Sequence, residues 1–147
     1  MKTEGQGNHM KVMAIDYGDA HTGIAISDPT GFMTGYATVI NAYRPEVVAE
    51  QIAALAKEYG VEELVLGHPI NMDGTRGPRS EKAHAMKALL EERTSLPVVL
   101  WDERRTTIDA HQILFNSGKN AKKRKKLVDA VAASLILEGY LTFKKSR

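Results

Sequence analysis

The sequence predicts an α/β fold in which a mixed five-stranded sheet carries helices on its faces. Three observations lead there: three short β-forming runs in succession at the start, two later apolar runs that each follow a helical stretch, and turn residues at nearly every joint. At 147 residues, 43% hydrophobic and 26% charged, the chain has the length and mixture of one soluble globular domain.

The run Lys11 to Ile15 ends at Asp16-Tyr17-Gly18, and an apolar stretch resumes at Gly23-Ile24-Ala25-Ile26-Ser27 before the turn signal Asp28-Pro29. That pattern is a hairpin. A third strand is expected over Gly35 to Ile40, where Tyr36, Thr38 and Val39 favour extended backbone. Pro45 then suits a first helical position, Val48, Ile52, Leu55 and Tyr59 recur at helical spacing, and Gly60 suits the left-handed C-terminal position. Glu63 to Gly67 reads as a short buried strand, followed by a Gly- and Pro-rich loop from His68 to Pro78. A helix from about Ser80 to Arg93 precedes a strand over Val98 to Trp101, with Pro97 at the joint. Thr106 and Thr107 offer N-caps for a helix through Phe115, and a basic loop leads to a final helix with Val128, Val131, Ala132, Leu135 and Ile136 on its apolar face.

The order is therefore βββαβαβαα, antiparallel at the start and parallel with right-handed crossovers afterwards. Residues 10–147 are expected to form one domain, with Met10 a natural start. Residues 1–9, polar and glycine-containing, are set aside as a disordered leader or an expression remnant.

Composition excludes several kinds of chemistry. With no cysteine, there are no disulfides, thiolate zinc sites, iron–sulfur clusters or cysteine nucleophiles, which suits a cytoplasmic protein. No Walker-type loop, Gly-x-Ser-x-Gly elbow or paired zinc-protease histidines occur. Charge, by contrast, is concentrated. Lys119, Lys122, Lys123, Arg124, Lys125 and Lys126 carry +6 against a chain total of +2, which leaves −4 for the remainder. Such a cluster is either a footprint for a polyanion or a solvated surface.

Three acids stand at element ends: Asp16 after the first strand, Glu103 after the strand that ends near Trp101, and Asp129 in the expected first turn of the last helix. Ligands gather outside the carboxyl ends of strands in an open α/β sheet, so acids far apart in sequence can converge there. Mg²⁺ or Mn²⁺ would find oxygen ligands in such a cluster, and two ions about 4 Å apart suit in-line phosphodiester hydrolysis. Each acid also has a plainer explanation, as a turn former or a helix-dipole contact.

Four ordered motifs give the acids a family context. Asp16-Tyr17-Gly18 with Gly23-Ile24-Ala25-Ile26-Ser27-Asp28 resembles the opening motif of the YqgF family of RNase H-like nucleases, and Gly67-His68-Pro69 with Asn71-Met72-Asp73-Gly74 resembles its central loop. Asp102-Glu103-Arg104 with Thr106-Thr107 is similar to its second acidic motif, and Asp129-Ala130 with Ala132-Ala133 and Ile136-Leu137 to its closing helix. The resemblance covers about Met10 to Leu141. It implies an RNase H-like fold, divalent-metal phosphodiester cleavage, and catalytic metal ligands at Asp16, Glu103 and Asp129.

Two departures stand out. The family usually has a basic residue where His21 stands and a leucine where His68 stands. A histidine at the first position would weaken a phosphate contact there and make it pH-dependent. Arg76, Arg79, Arg104 and Arg105, together with the basic run, are further candidates for contacting nucleic acid.

The family offers two substrates, the 5′ end of precursor 16S ribosomal RNA and four-way DNA junctions. The ribosomal RNA is the favoured reading, and because no residue here reads base identity or distinguishes ribose from deoxyribose, that preference rests wholly on the resemblance. Two other readings compete. An actin-like kinase also opens with an Asp-x-Gly turn but needs a second lobe that this length does not hold. A non-catalytic nucleic-acid-binding module would have no use for three acids beside phosphates.

Overall fold

The computed structural model describes residues 10–31, 33–68, 77–102 and 121–145, without the side chains of 121–129 and 145. Its elements run β1 (Val12–Asp16), β2 (His21–Ser27), β3 (Thr34–Asn41), α1 (Pro45–Tyr59), β4 (Glu63–His68), α2 (Pro78–Arg93), β5 (Val98–Asp102) and α3 (Ala121–Lys145). The expected leader and the helix expected from Thr106 to Phe115 lie outside the described residues.

One sheet forms, in the order β3-β2-β1-β4-β5. β1 pairs antiparallel with β2 and β2 with β3, whereas β1 pairs parallel with β4 and β4 with β5. Tight turns suffice for the antiparallel pairs, while each parallel pair needs a crossover, which α1 and α2 supply. α1 starts where Pro45 pre-sets the helical φ, and it stops at Gly60, whose φ of 68° is costly for any residue with a Cβ.

Alternation along the strands divides the core into two layers. Met13, Ile15, Ile24, Ile26, Leu64 and Leu66 are fully buried on the face covered by α1 and α2. Val12, Ala14, Ala25, Val65 and Trp101 lie on the other face, against Ala133, Ile136, Leu137, Tyr140 and Leu141 of α3. Alanines at positions 14 and 25 let α3 lie close to the sheet. Each large buried side chain contributes about 1.5–3 kcal/mol of transfer free energy, so a helix presenting four of them beside Ala133 docks firmly.

The C-terminal end of α3 is tied down by polar contacts as well. The Tyr140 hydroxyl donates to Glu63 Oε2 at 3.0 Å, and Lys144 Nζ lies 3.3 Å from Glu63 Oε1. Glu63 begins β4 and pairs with Val12, at the amino end of β1. Glu138 accepts from the Thr34 hydroxyl at 3.2 Å, and Thr34 pairs with Ser27 at this same end of the sheet. α3 therefore has its C-terminus where β1 and β4 begin, and its N-terminal half extends toward their carboxyl ends.

The structure differs from the expected boundaries in ways that matter. β2 begins at His21 rather than Gly23, because His21 still pairs with Asn41 of β3. His68 closes β4, opposite Asp102, instead of opening the loop, and α2 starts at Pro78 rather than Ser80. The larger correction concerns the basic run, which was expected to be a loop ahead of the last helix. α3 starts at Ala121, so Lys122, Lys123, Arg124, Lys125 and Lys126 belong to its first two turns. Lysine and arginine are good helix formers, and no glycine or proline interrupts the stretch. Asp129 consequently sits in the third turn, not the first, and a dipole contact no longer accounts for it. Among the described residues, no helix is long and apolar enough to cross a membrane.

Candidate active site

Asp16 ends β1, the middle strand, and is partly buried. It shares the parity of Val12 and Ala14, which places it on the α3 face. Gly23 of β2 stands directly opposite, so the neighbouring position on that face offers no side chain to fill the space beside the carboxylate. On the parallel side, Ile15 pairs with Leu66, and Gly67 follows. Asp16 is thus a partly buried carboxylate at the mouth of the sheet, between two glycine-bearing strands.

The hairpin loop that leaves Asp16 is held in a defined shape. A Cβ at Gly18 would collide with the carbonyl oxygen of His21, so only glycine permits this close approach. Lys82 of α2 pairs with Asp19 at 2.6 Å, and Arg79 Nη2 donates to the Tyr17 carbonyl at 3.4 Å. The Lys82 hydrogen bond, and after it the Lys82 charge, holds the Asp19 carboxyl below its ordinary range. This exposed tie persists at neutral pH and loosens only in acid.

His21 lies at the same end and has the parity of Gly23 and Ala25, which places it on the Asp16 face. Its Nδ1 donates to Asn41 Oδ1 at 2.6 Å, across the β2–β3 pair. With Nδ1 so committed, Nε2 is the ring nitrogen left to meet a ligand. Asn41 was not anticipated from the sequence. Only the strand register brings it to His21.

His68 is buried at 6% exposure and has the parity of Leu64 and Leu66, facing α2. Its Nε2 lies 2.6 Å from the Ser80 hydroxyl, and its ring meets His84 edge-on at 4.9 Å. Ser80, 1% exposed, supplies the polar partner that a buried imidazole requires.

The remaining sequence candidates fall at or beyond the limits of description. Glu103, Arg76, Arg104, Arg105 and Lys119 lie outside the described residues, and the side chains of Lys122, Lys123, Arg124, Lys125, Lys126 and Asp129 are not described. Among the described residues no group of three possible metal ligands comes together. The backbone nevertheless places Asp129. It precedes Ala133 by four residues and Ile136 by seven, which is the spacing of the buried stripe on α3. It also precedes Tyr140 by eleven residues, about 16 Å of helix, while β1 spans about 13 Å from Val12 to Asp16. The backbone at Asp129 therefore stands at the Asp16 end of the sheet, on the face that Asp16 shares.

Residues 10–143 match the family described as RuvX, Holliday junction resolvase. The chain belongs to the RuvX family. Its relatives include a candidate pre-16S rRNA nuclease of Halothermothrix orenii, 43% identical over 92% of this chain and 96% of the relative. Another, of Acetivibrio thermocellus, has the same description and is 44% identical over 92% of this chain and 97% of the relative. Among solved structures, T. thermophilus RuvC in complex with Holliday junction substrate superposes with a TM-score of 0.62 at 15% identity, covering 92% of this chain and 97% of that one. The large terminase nuclease of phage G20c gives 0.55 at 13% identity, over 89% and 81%. These likenesses place the RuvX chain on the RuvC-type, RNase H-like fold that its four motifs imply.

Proposed function

We propose that this RuvX-family protein is a divalent-metal-dependent endonuclease acting in the cytoplasm on precursor 16S ribosomal RNA, with Asp16, Glu103 and Asp129 as its metal ligands. The observation that carries this is the placement of Asp16: at the carboxyl end of the central strand, on the face of α3, across from a glycine, at the end toward which α3 brings Asp129. Glu103 is two residues past Trp101, whose ring lies on that face. These positions support reading the three acids as one metal site.

The donor chemistry fits Mg²⁺ or Mn²⁺, hard ions that take carboxylate oxygens and keep several waters. When bound, such an ion supplies Lewis-acid stabilisation of phosphate oxygens and a water of lowered pKa. The protein's own part is positional. Asp16, fixed by the last pairing of β1, holds negative charge at a set point, and Gly23 leaves the substrate room to approach it. His21, aligned by Asn41, can direct Nε2 at a phosphate oxygen. The basic first turns of α3 attract the polyanion to this end.

Relatives described as pre-16S rRNA nucleases favour the RNA substrate. The family's description favours a second reading, cleavage of four-way DNA junctions. A side-by-side cleavage assay of precursor rRNA and a synthetic junction, with Mg²⁺ or Mn²⁺ and a chelator control, separates them. Metal-dependent cutting at the 5′ side of the rRNA precursor is expected. Junction cutting alone would transfer the assignment to DNA, and cutting of neither would favour a binding module.

A further inference from the structure

On the opposite face of the same sheet end, a cleft of about 300 Å³ opens between the Asp16–His21 hairpin loop and α2. Its lining includes Tyr17, Asp19, Tyr43, Lys82 and Met86. We propose that this cleft receives one unpaired nucleobase of the substrate strand, stacked on Tyr43, next to the nucleotide whose phosphate lies at Asp16. The proposal rests on the nuclease reading above and specifies its substrate as single-stranded at this point.

Position is the first argument. Tyr17 directly follows Asp16, so a strand crossing the hairpin loop passes from the carboxylate to the cleft within adjacent nucleotides. Tyr43 is held against that loop, because the neighbouring Ala42 N–H donates to the Ala20 carbonyl at 3.1 Å. Arg44, the next residue, caps α1 by backbone only; its exposed guanidinium makes no capping bond and can meet a backbone phosphate beside the stacked base.

Chemistry is the second argument. Tyr43 is 79% exposed, more than any other large apolar side chain among the described residues, so its ring adds little to the core. An exposed tyrosine beside a small concave site is a stacking surface that any base can use. The volume matches the lower end of small-ligand sites, enough for a flat heterocycle. Asp19 and Lys82 at the rim supply an acceptor and a donor for a base edge. The Tyr17 hydroxyl in the lining is a further neutral hydrogen-bonding group for a base edge. Glu46 adds a further negative charge near Tyr17. Asp19 and Glu46 offset Lys82 and Arg79, so the cleft itself has no net positive charge to draw in a phosphate and suits an uncharged base, with Arg44 outside it for the neighbouring phosphate. A base inside a duplex is already stacked and cannot enter.

The test uses single-stranded RNA carrying 2-aminopurine, whose fluorescence falls on stacking, titrated in chelator against wild type, Tyr43→Ala and Tyr43→Trp. Quenching by wild type and Tyr43→Trp is expected, with quenching lost and affinity about tenfold weaker for Tyr43→Ala. In the same RNA, an abasic residue at one position should weaken wild type but not Tyr43→Ala. Equal binding and quenching by wild type and Tyr43→Ala, or no position-specific abasic effect, overturns the cleft. Metal-dependent cleavage of the precursor is scored separately. Cleavage without Tyr43-dependent stacking leaves the nuclease reading standing alone, and stacking without cleavage supports the cleft while counting against that reading.

Discussion

Gly18 shows how one residue can set the geometry of a site without touching substrate. It sits between Asp16 and His21, and a methyl group on it would run into the backbone carbonyl of His21, which has no flexible end to give way. Gly18→Ala must therefore shift the hairpin loop, at a cost of about 1–3 kcal/mol. Because that loop fixes the distance from Asp16 to His21, we expect kcat to fall more than the melting temperature alone explains. Paired melting and cleavage measurements check this, and unaltered cleavage would show that the loop does not set the site. The motif Asp16-Tyr17-Gly18 was visible in the sequence as a turn. The partner that makes glycine obligatory was not, since it depends on how closely two backbones approach. Asn41 was hidden for a related reason: it meets His21 only through the β2–β3 register.

At the level of elements, α3 carries two jobs along one length. Its C-terminal half is bolted to the sheet through Tyr140, Leu141 and Lys144, and its first turns carry Lys122, Lys123, Arg124, Lys125 and Lys126. Reading these as a loop followed the clustering of charge, and missed that lysine and arginine are good helix formers with a docked helix to extend. As helix residues, they crowd positive charge at the positive end of the macrodipole, an unfavourable arrangement of a few tenths of a kcal/mol per residue that a bound phosphate backbone reverses. Replacing Lys122, Lys123 and Lys125 by glutamine should flatten the dependence of log affinity on log salt by about two to three units. An unchanged slope in a folded variant would remove these turns from the binding surface.

For the whole molecule, the order of the described strands and helices was legible because each element carries its own period: alternation in β2, helical spacing in α1, and proline or glycine at the joints. The proposed meeting of the acids was legible only as a possibility raised by element ends, and it took the resemblance to the family's motifs to single out Asp16, Glu103 and Asp129. Topology adds what neither supplied. Glu63, Tyr140 and Lys144 fix the direction of α3, and that direction brings the Asp129 turn to the Asp16 end. Asp16 is expected to serve chemistry and not folding. The direct measurement compares wild type with Asp16→Asn, prepared in parallel, for metal-dependent cleavage of precursor rRNA and for melting temperature without metal. Asparagine keeps the shape and one oxygen but removes the charge that holds a hard cation. We expect loss of cleavage with a melting temperature equal to or slightly above wild type, because repulsion among the acids is relieved. Full cleavage by Asp16→Asn, or a collapse of its fold that by itself explains the lost activity, would contradict it.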